Sequence, residues 1–167
     1  MGNGEKNMSQ KKKIFKNNIN IRNKKARFNY EFLDKYIAGI QLVGTEIKAI
    51  REGKASLSES FCEFNDRGEL FVINMDINEY SHGTYNNHRP KRERKLLLNK
   101  NELKKLRREV EKNGLTIVPL RMFITEKGWA KIQIALAKGR KNYDKRHLLK
   151  ERDIDRQLSK VRKEYRV

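Results

Sequence analysis

Apolar and polar residues alternate in several stretches of the chain, which is the pattern of β-strands that bury one face. The alternation is clearest over residues 129–137. Its positions divide into an apolar set and an outer set: Ala130, Ile132, Ile134 and Leu136 against Trp129, Lys131 and Gln133. The first set predicts core positions, and the second places Lys131 on the outer face of a barrel or sheet.

Other runs of aromatic and β-branched residues between turn signals predict further short strands. They cover residues 28–33, 36–43, 61–64, 69–73, 76–80 and 115–124. Asn65 and Gly68 delimit a hairpin signal between two of these strands. Pro119 in the last strand predicts an edge position or a bulge, because proline cannot donate to a sheet ladder.

Helical periodicity and capping residues predict two helices. The shorter one has Thr45 as its cap, continues through Arg51 and is followed by the stop residue Gly53. The longer one starts at the capping pair Asn99 and Glu102 and runs to about residue 113. Its apolar face and its closing glycine are Leu103, Leu106, Val110 and Gly114. A short basic helical turn is also expected within residues 20–27.

Hairpin-spaced strands with these helices and no βαβ rhythm predict a mainly β fold, either an antiparallel barrel or a strongly curled sheet. The OB-fold is one small barrel that binds nucleic acid through an open sheet face and its loops.

Basic residues outnumber acidic ones by 40 to 21, a formal net charge of +19 over 167 residues. Residues 1–27 carry +8 and residues 138–167 carry +7, so the stretch between them holds only +4. This layout predicts a flexible basic arm at 1–19, a folded body at 20–138 and a basic tail at 139–167. Because a polyanion relieves the self-repulsion of such a chain, nucleic acid is the favoured partner and an anionic membrane surface the alternative.

The tail begins with a basic segment and continues as a charged stretch without proline or glycine. Residues 139–146 hold four cations, Asp144 and Tyr143, which suits a phosphate backbone with the tyrosine free to stack on a base. Farther on, one apolar stripe has helical spacing: Ile154, Leu158, Val161 and Tyr165. One narrow stripe does not stabilise an isolated helix of this length, so we expect the tail to be disordered alone and helical on a partner.

Patterns of catalytic or metal-binding residues are missing from the sequence. His82, His88 and His147 are separated by loops and have no cysteine partners nearby. Cys62 is the only cysteine, and its aromatic neighbours indicate a buried strand thiol. With scattered carboxylates and no phosphate-binding glycine loop, the sequence predicts no enzyme, no cofactor and no metal. No apolar run has the length of a membrane span or a signal segment, so we expect a cytoplasmic protein.

Three segments, in order, resemble the signatures of the SsrA-binding protein (SmpB) family. The first is Tyr30 followed by A-G-I-Q-L-V-G-T-E-I-K at residues 38–48 and R-E-G-K at residues 51–54. The second is R-E-R-K-L-L-L at residues 92–98 with Glu102 and Leu103, and the third is G-R-K-N-Y-D-K-R at residues 139–146. The resemblance extends from about residue 20 to the C-terminus.

This resemblance implies an OB-like closed antiparallel β-barrel with flanking short helices. It implies trans-translation, in which the barrel binds the tRNA-like domain of transfer-messenger RNA (tmRNA) and delivers it to ribosomes stalled on non-stop mRNA. The tail would engage the decoding centre, with its small-subunit rRNA, and the empty mRNA channel. Elongation factor Tu and alanyl-tRNA synthetase are implied as indirect partners, and no membrane is involved.

The resemblance also assigns two sets of RNA-facing residues by matching position. The set for the tRNA-like domain is Asn23, Lys25, Tyr30, Leu97, Asn99 and Lys131. The set for the decoding centre is Lys138, Gly139, Lys141, Tyr143, Asp144, Lys145 and Arg146. Simpler roles compete at three positions, since Asn99 also fits a helix cap, Leu97 a core residue and Asp144 a neutraliser of its cationic neighbours.

The sequence departs from the family pattern at three positions. Ile37 stands where the family usually has an acidic residue, so a carboxylate contact to RNA is not transferred to it. Arg140 replaces a lysine and Glu79 replaces a frequent proline. Two other functions compete with the RNA-binding adaptor: a ribosomal protein whose arms thread rRNA, and an RNA-processing enzyme that uses the Lys/Asp/Arg cluster of the tail.

Overall fold

The computed structural model describes residues 19–165, which form nine strands and four helices. In chain order these are β1 (Asn20–Arg22), α1 (Ala26–Asn29), β2 (Tyr30–Ile40), α2 (Gly44–Arg51), β3 (Ala55–Ser56), β4 (Phe61–Phe64), β5 (Leu70–Ile73), β6 (Asp76–Ile77), β7 (Arg94–Leu97), α3 (Lys100–Asn113), β8 (Thr116–Ile124), β9 (Ala130–Gly139) and α4 (Asn142–Glu164). The predicted arm at 1–19 lies outside the described residues except for its last position.

Seven strands form one antiparallel sheet in the order β1-β8-β4-β5-β7-β2-β9. Strand β8 also pairs with β9, so the sequence of pairings from β8 through β4, β5, β7, β2 and β9 returns to β8. Strands β3 and β6 form a separate two-stranded sheet. The mainly β architecture with flanking helices agrees with the prediction.

The core is formed by apolar side chains of these strands together with residues of α2 and α3. The four core positions predicted in β9 are all buried, and Ile132 and Ile134 have no exposed surface. Cys62 is buried as predicted, and burial raises the pKa of its thiol, which keeps it protonated and unreactive. Each fully buried isoleucine or leucine contributes roughly 1.5–3 kcal/mol relative to an exposed one.

Turn chemistry explains several confirmed elements. The hairpin between β4 and β5 turns at Gly68, whose φ of 76° lies in the left-handed region. Helix α3 ends at Gly114 with φ 60°, and at its start Glu102 accepts a hydrogen bond from the Asn99 N–H at 3.3 Å. The pairing of β8 with β9 shifts register after Pro119, which is the predicted bulge.

Two predictions about the first half of the chain are wrong, and a third is confirmed in part. Residues 28–43 do not hold two strands, because β2 continues through a register shift between Phe32 and Lys35 and so keeps pairing with β9. Helix α2 starts one residue before Thr45 with Val43 as its cap, since Glu46 accepts the Val43 N–H at 2.9 Å. The short basic helical turn expected within residues 20–27 is confirmed in part, because α1 begins at Ala26 with Lys25 as its cap, whereas Asn20–Arg22 form β1.

The tail is helical over α4, and none of its side chains is buried. Every side chain of the predicted stripe is exposed, from Val161 at 48% to Tyr165 at 85%. The helical form of the tail agrees with the prediction, and its disorder without a partner stays a prediction. Within residues 19–165 no helix has the combination of length and apolar character that crossing a membrane requires.

Candidate nucleic-acid interface

The outer face of the sheet carries two rows of side chains that cross neighbouring strands. The pairing registers define them as Leu97, Gly39, Lys131 and Phe123 in one row and Ile37, Gln133, Arg121 and Arg22 in the next. We call these eight residues the outer-face patch. Ala135 and Ala137, farther along β9 on the same face, are fully buried, so the open part of this face is confined to the first half of β9.

A cleft of about 460 Å³ borders the patch. Leu97 and Lys131 line it together with Trp129, which is 68% exposed. Gly39 separates Leu97 from Lys131, and a Cβ there would meet the Leu97 Cβ at 3.3 Å and the Lys131 Nζ at 3.7 Å. The missing side chain therefore lets a leucine and a lysine share one exposed apolar and cationic surface, which suits bases and phosphates together.

Leu97 and Lys131 are the two predicted RNA-binding residues that the fold brings together. Leu97 is 53% exposed, so the alternative that it belongs to the core is wrong. Asn99 follows two residues later, is exposed and caps α3, which confirms the capping role and leaves RNA contact a prediction.

The other three residues predicted for the tRNA-like domain lie at the start of the described chain. Asn23 is engaged within the protein, because its side-chain amide donates to the Pro119 carbonyl at 3.0 Å and its oxygen accepts the Ala26 N–H at 3.2 Å. Lys25 forms an exposed ion pair with Glu59 at 3.3 Å, which is weak enough to exchange for a phosphate. Tyr30 opens β2 and pairs with Gly139.

The predicted decoding-centre residues begin at the end of β9 and enter the first turns of α4. Arg140 fixes this junction, since its N–H donates to the Asn29 carbonyl at 2.9 Å and its Nε to the Tyr30 carbonyl at 3.2 Å. Tyr143 is 67% exposed. The remaining members of this set are exposed or half-buried: Lys138, Gly139, Lys141, Asp144, Lys145 and Arg146.

Asp144 lies in the first turn of α4 and is half-buried. Among residues 19–165 its carboxylate forms no hydrogen bond or ion pair, and its role as a neutraliser of cationic neighbours stays a prediction. A negative charge at this position stabilises a helix through the partial positive charge of the helix N-terminus. Lys145 and Arg152, on one face of α4, lie 5.9 and 5.8 Å from the centre of the Phe28 ring and join the helix to the body.

A buried ion cluster joins two of the segments that the sequence singled out. Glu46 and Arg94 have no exposed surface, and the Arg94 Nε donates to Glu46 Oε1 at 2.8 Å. Arg92 adds two hydrogen bonds to the same carboxylate, at 3.0 and 2.7 Å. Burial alone would raise the pKa of Glu46, but hydrogen bonds from Arg92, the Val43 N–H and Arg94 outweigh it and hold the pKa below its ordinary value.

Residues 89–95 hold five cations, and three of these cations are paired within the protein. Arg92 and Arg94 bind Glu46, and Lys95 pairs with Glu69 at 2.7 Å. Arg94 also donates to the carbonyls of Met75 and Pro90, at 2.9 and 3.0 Å. The segment therefore fastens the loop before β7 to α2 instead of presenting a row of free cations.

His88 is a second buried polar residue that the sequence did not identify as structural. Its Nε2 donates to the Ile77 carbonyl at 2.9 Å, and its Nδ1 lies 2.8 Å from the Thr45 hydroxyl. Because a carbonyl only accepts, Nε2 carries a proton, and Nδ1 shares a second hydrogen bond with the Thr45 hydroxyl. In the part of the chain that the structure describes, no three His, Cys, Asp or Glu residues are grouped to hold a metal ion.

The sequence model of the SmpB protein family matches residues 20–164. The chain belongs to the SmpB family. An SsrA-binding protein of Christiangramia forsetii is 64% identical over 90% of this chain and 96% of its own length, and one of Flavobacterium johnsoniae is 60% identical over 88% and 97%. An SsrA-binding protein of Allorhizobium ampelinum is 51% identical over 88% of this chain and 92% of its own length.

A solved structure has a chain of the same fold. It belongs to "tmRNA-SmpB: a journey to the center of the bacterial ribosome", is 47% identical and superposes with a TM-score of 0.62 over 74% of this chain and 86% of its own. The chain that carries the outer-face patch therefore shares its fold with that solved chain.

Proposed function

We propose that this SmpB family member is a tmRNA-binding adaptor of trans-translation with no catalysis of its own. The outer-face patch carries the proposal, because it combines exposed apolar surface with the cations Lys131, Arg121 and Arg22. Arginine and lysine bind phosphates, while apolar and aromatic side chains stack on bases. The relatives are named SsrA-binding proteins, and this name supports tmRNA, the SsrA RNA, as the nucleic acid.

The patch is proposed to hold the tRNA-like domain of tmRNA, with Leu97, Asn99 and Lys131 at its centre. Lys25, which caps α1, and Tyr30, which opens β2, would contact the same domain. Asn23 would orient them through its internal hydrogen bonds. We further propose an OB-like closed barrel, which the return of the strand pairings to β8 supports.

The tail is proposed to act on a second partner, the decoding centre and empty mRNA channel of a stalled ribosome. Its support is that α4 buries no side chain and presents cations and Tyr143 to the solvent. Such a helix gains most of its stability from an RNA surface, so we propose that it is disordered alone. Elongation factor Tu and alanyl-tRNA synthetase would join through the RNA, in the cytoplasm where ribosomes work.

The salt dependence of RNA binding tests the patch directly. Lys131→Ala removes one phosphate contact, so the slope of log affinity against log salt should fall by about one unit and affinity should fall at every salt concentration. Lys104→Ala is the matched control, because Lys104 is an exposed lysine on α3 that forms no ion pair among residues 19–165. Equal slopes for wild type and Lys131→Ala on the isolated tRNA-like domain would contradict the proposed site.

A further inference from the structure

Two arginines lie directly opposite each other on the outer face of the sheet. Arg22 on β1 pairs in register with Arg121 on β8, and opposite residues of an antiparallel pair project to the same side about 5 Å apart at Cβ. Like charges at this distance destabilise the pairing of the strands. Among residues 19–165 neither guanidinium forms an ion pair with a carboxylate, so no negative side chain of the described residues neutralises the pair.

Arg121 is nevertheless held in a defined position. Its Nε donates to Gln133 Oε1 at 3.0 Å, and its guanidinium carbon lies 4.6 Å from the centre of the Phe123 ring. A stacked guanidinium with one hydrogen bond to a neutral acceptor keeps its other N–H groups free to donate. The geometry therefore orients a cation without neutralising it.

The arginine pair is continuous with the lysine of the proposed site. Arg121 stacks on Phe123, which lies directly opposite Lys131. Over residues 121–123, β8 pairs with β1 on one side and with β9 on the other. Strands lie about 4.8 Å apart and two residues along a strand span about 7 Å, so roughly 12 Å separates the backbone of Lys131 from that of Arg22. An RNA strand that contacts Lys131 is thus within reach of both arginines.

We propose that Arg22 and Arg121 together clamp a phosphate of the same RNA that Lys131 contacts, and so extend the binding surface across β8 to β1. The inference rests on the proposed function. A phosphodiester group fits because its negative charge removes the repulsion between the arginines and its oxygens accept from two guanidinium forks. Arg121 is held in place by Gln133 and Phe123, and Arg22 is the exposed arginine that closes on the phosphate.

Charge reversal at Arg22 distinguishes a phosphate-binding arginine pair from two arginines that are only solvated. In Arg22→Glu a carboxylate faces Arg121 across the strands, so the melting temperature of the RNA-free protein should rise while its affinity for the isolated tRNA-like domain falls about tenfold or more at physiological ionic strength. Arg22→Ala and Arg121→Ala should each weaken binding about fivefold. Because both arginines contact one phosphate, the double variant Arg22→Ala/Arg121→Ala should lower the salt slope by about one unit.

Arg108→Ala on α3 is the matched control, an exposed arginine without an ion pair among residues 19–165, and it should leave the slope unchanged. The clamp is overturned if Arg108→Ala lowers the slope as much as the double variant Arg22→Ala/Arg121→Ala does. It is also overturned if Arg22→Glu binds the RNA as tightly as wild type. Wild-type protein that does not bind the tRNA-like domain contradicts the proposed function, whereas normal wild-type binding with unchanged arginine variants contradicts only the clamp.

Discussion

A chain that ends at Lys138 should bind the tRNA-like domain nearly as tightly as the full chain and should support no peptide tagging on stalled ribosomes. The reason for the first result is that α4 buries no side chain, while the core and the outer-face patch precede Gly139. The loss of the tail's cations should cost a factor of about three in affinity at moderate salt through long-range attraction alone. The unfolding midpoint should stay close to that of the full chain.

The reason for the second result is that the tail is the part proposed to engage the decoding centre and the mRNA channel. A full-length variant with prolines at Leu149 and Leu158 is the matched control, because it keeps every cation and prevents the helix. It should bind RNA as wild type does and should also fail in tagging. Parallel loss of RNA binding and tagging on truncation would contradict the division of labour between body and tail.

Glu46→Gln should destabilise the protein by about 4 kcal/mol, because it leaves the fully buried Arg94 without its carboxylate. Urea unfolding at neutral pH measures this loss. Glu111→Gln is the control, since Glu111 belongs to an exposed pair with Arg107 on α3 and its loss should not measurably shift the midpoint. A Glu46→Gln midpoint equal to that of wild type would contradict the structural role of the cluster.

The same variant should change the response to acid. The folded pKa of Glu46 lies below its ordinary value of 4.5, so its contribution to stability is fully present above that pH and is lost as pH falls through the folded pKa. Wild-type stability should therefore decline on acidification below about pH 4.5, and Glu46→Gln should lack this part of the decline. Unfolding free energies at several acidic pH values give the comparison.

Local patterns in the sequence predict the elements whose cause is local. The alternation in β9, the hairpin at Gly68 and the cap and closing glycine of α3 each depend on neighbouring residues, and the structure confirms them. The two strands expected within residues 28–43 are one strand, because pairing with β9 continues across the irregularity between Phe32 and Lys35. Tertiary pairing here outweighs the local break.

The candidate site is likewise predicted from the sequence only where its cause is local. Lys131 follows from the alternation of β9, but its meeting with Leu97 depends on the pairing of β7, β2 and β9 around Gly39. In the buried cluster, Glu46 is separated along the chain from Arg92 by 46 positions and from Arg94 by 48 positions, so no local pattern reveals it. The sequence signal for such a cluster is limited to two features. Glu46 lies on the apolar face of a helix, and Arg92 and Arg94 stand two residues apart elsewhere in the chain.

Binding of the full chain to the isolated tRNA-like domain of tmRNA, across a salt series, tests the central claim most directly. The proposed function predicts tighter binding than to rRNA fragments of equal length at every salt concentration, with a preference that persists at moderate salt where non-specific attraction weakens. Equal affinity for the tRNA-like domain and the rRNA fragments at moderate salt would contradict it and favour a general rRNA-binding protein.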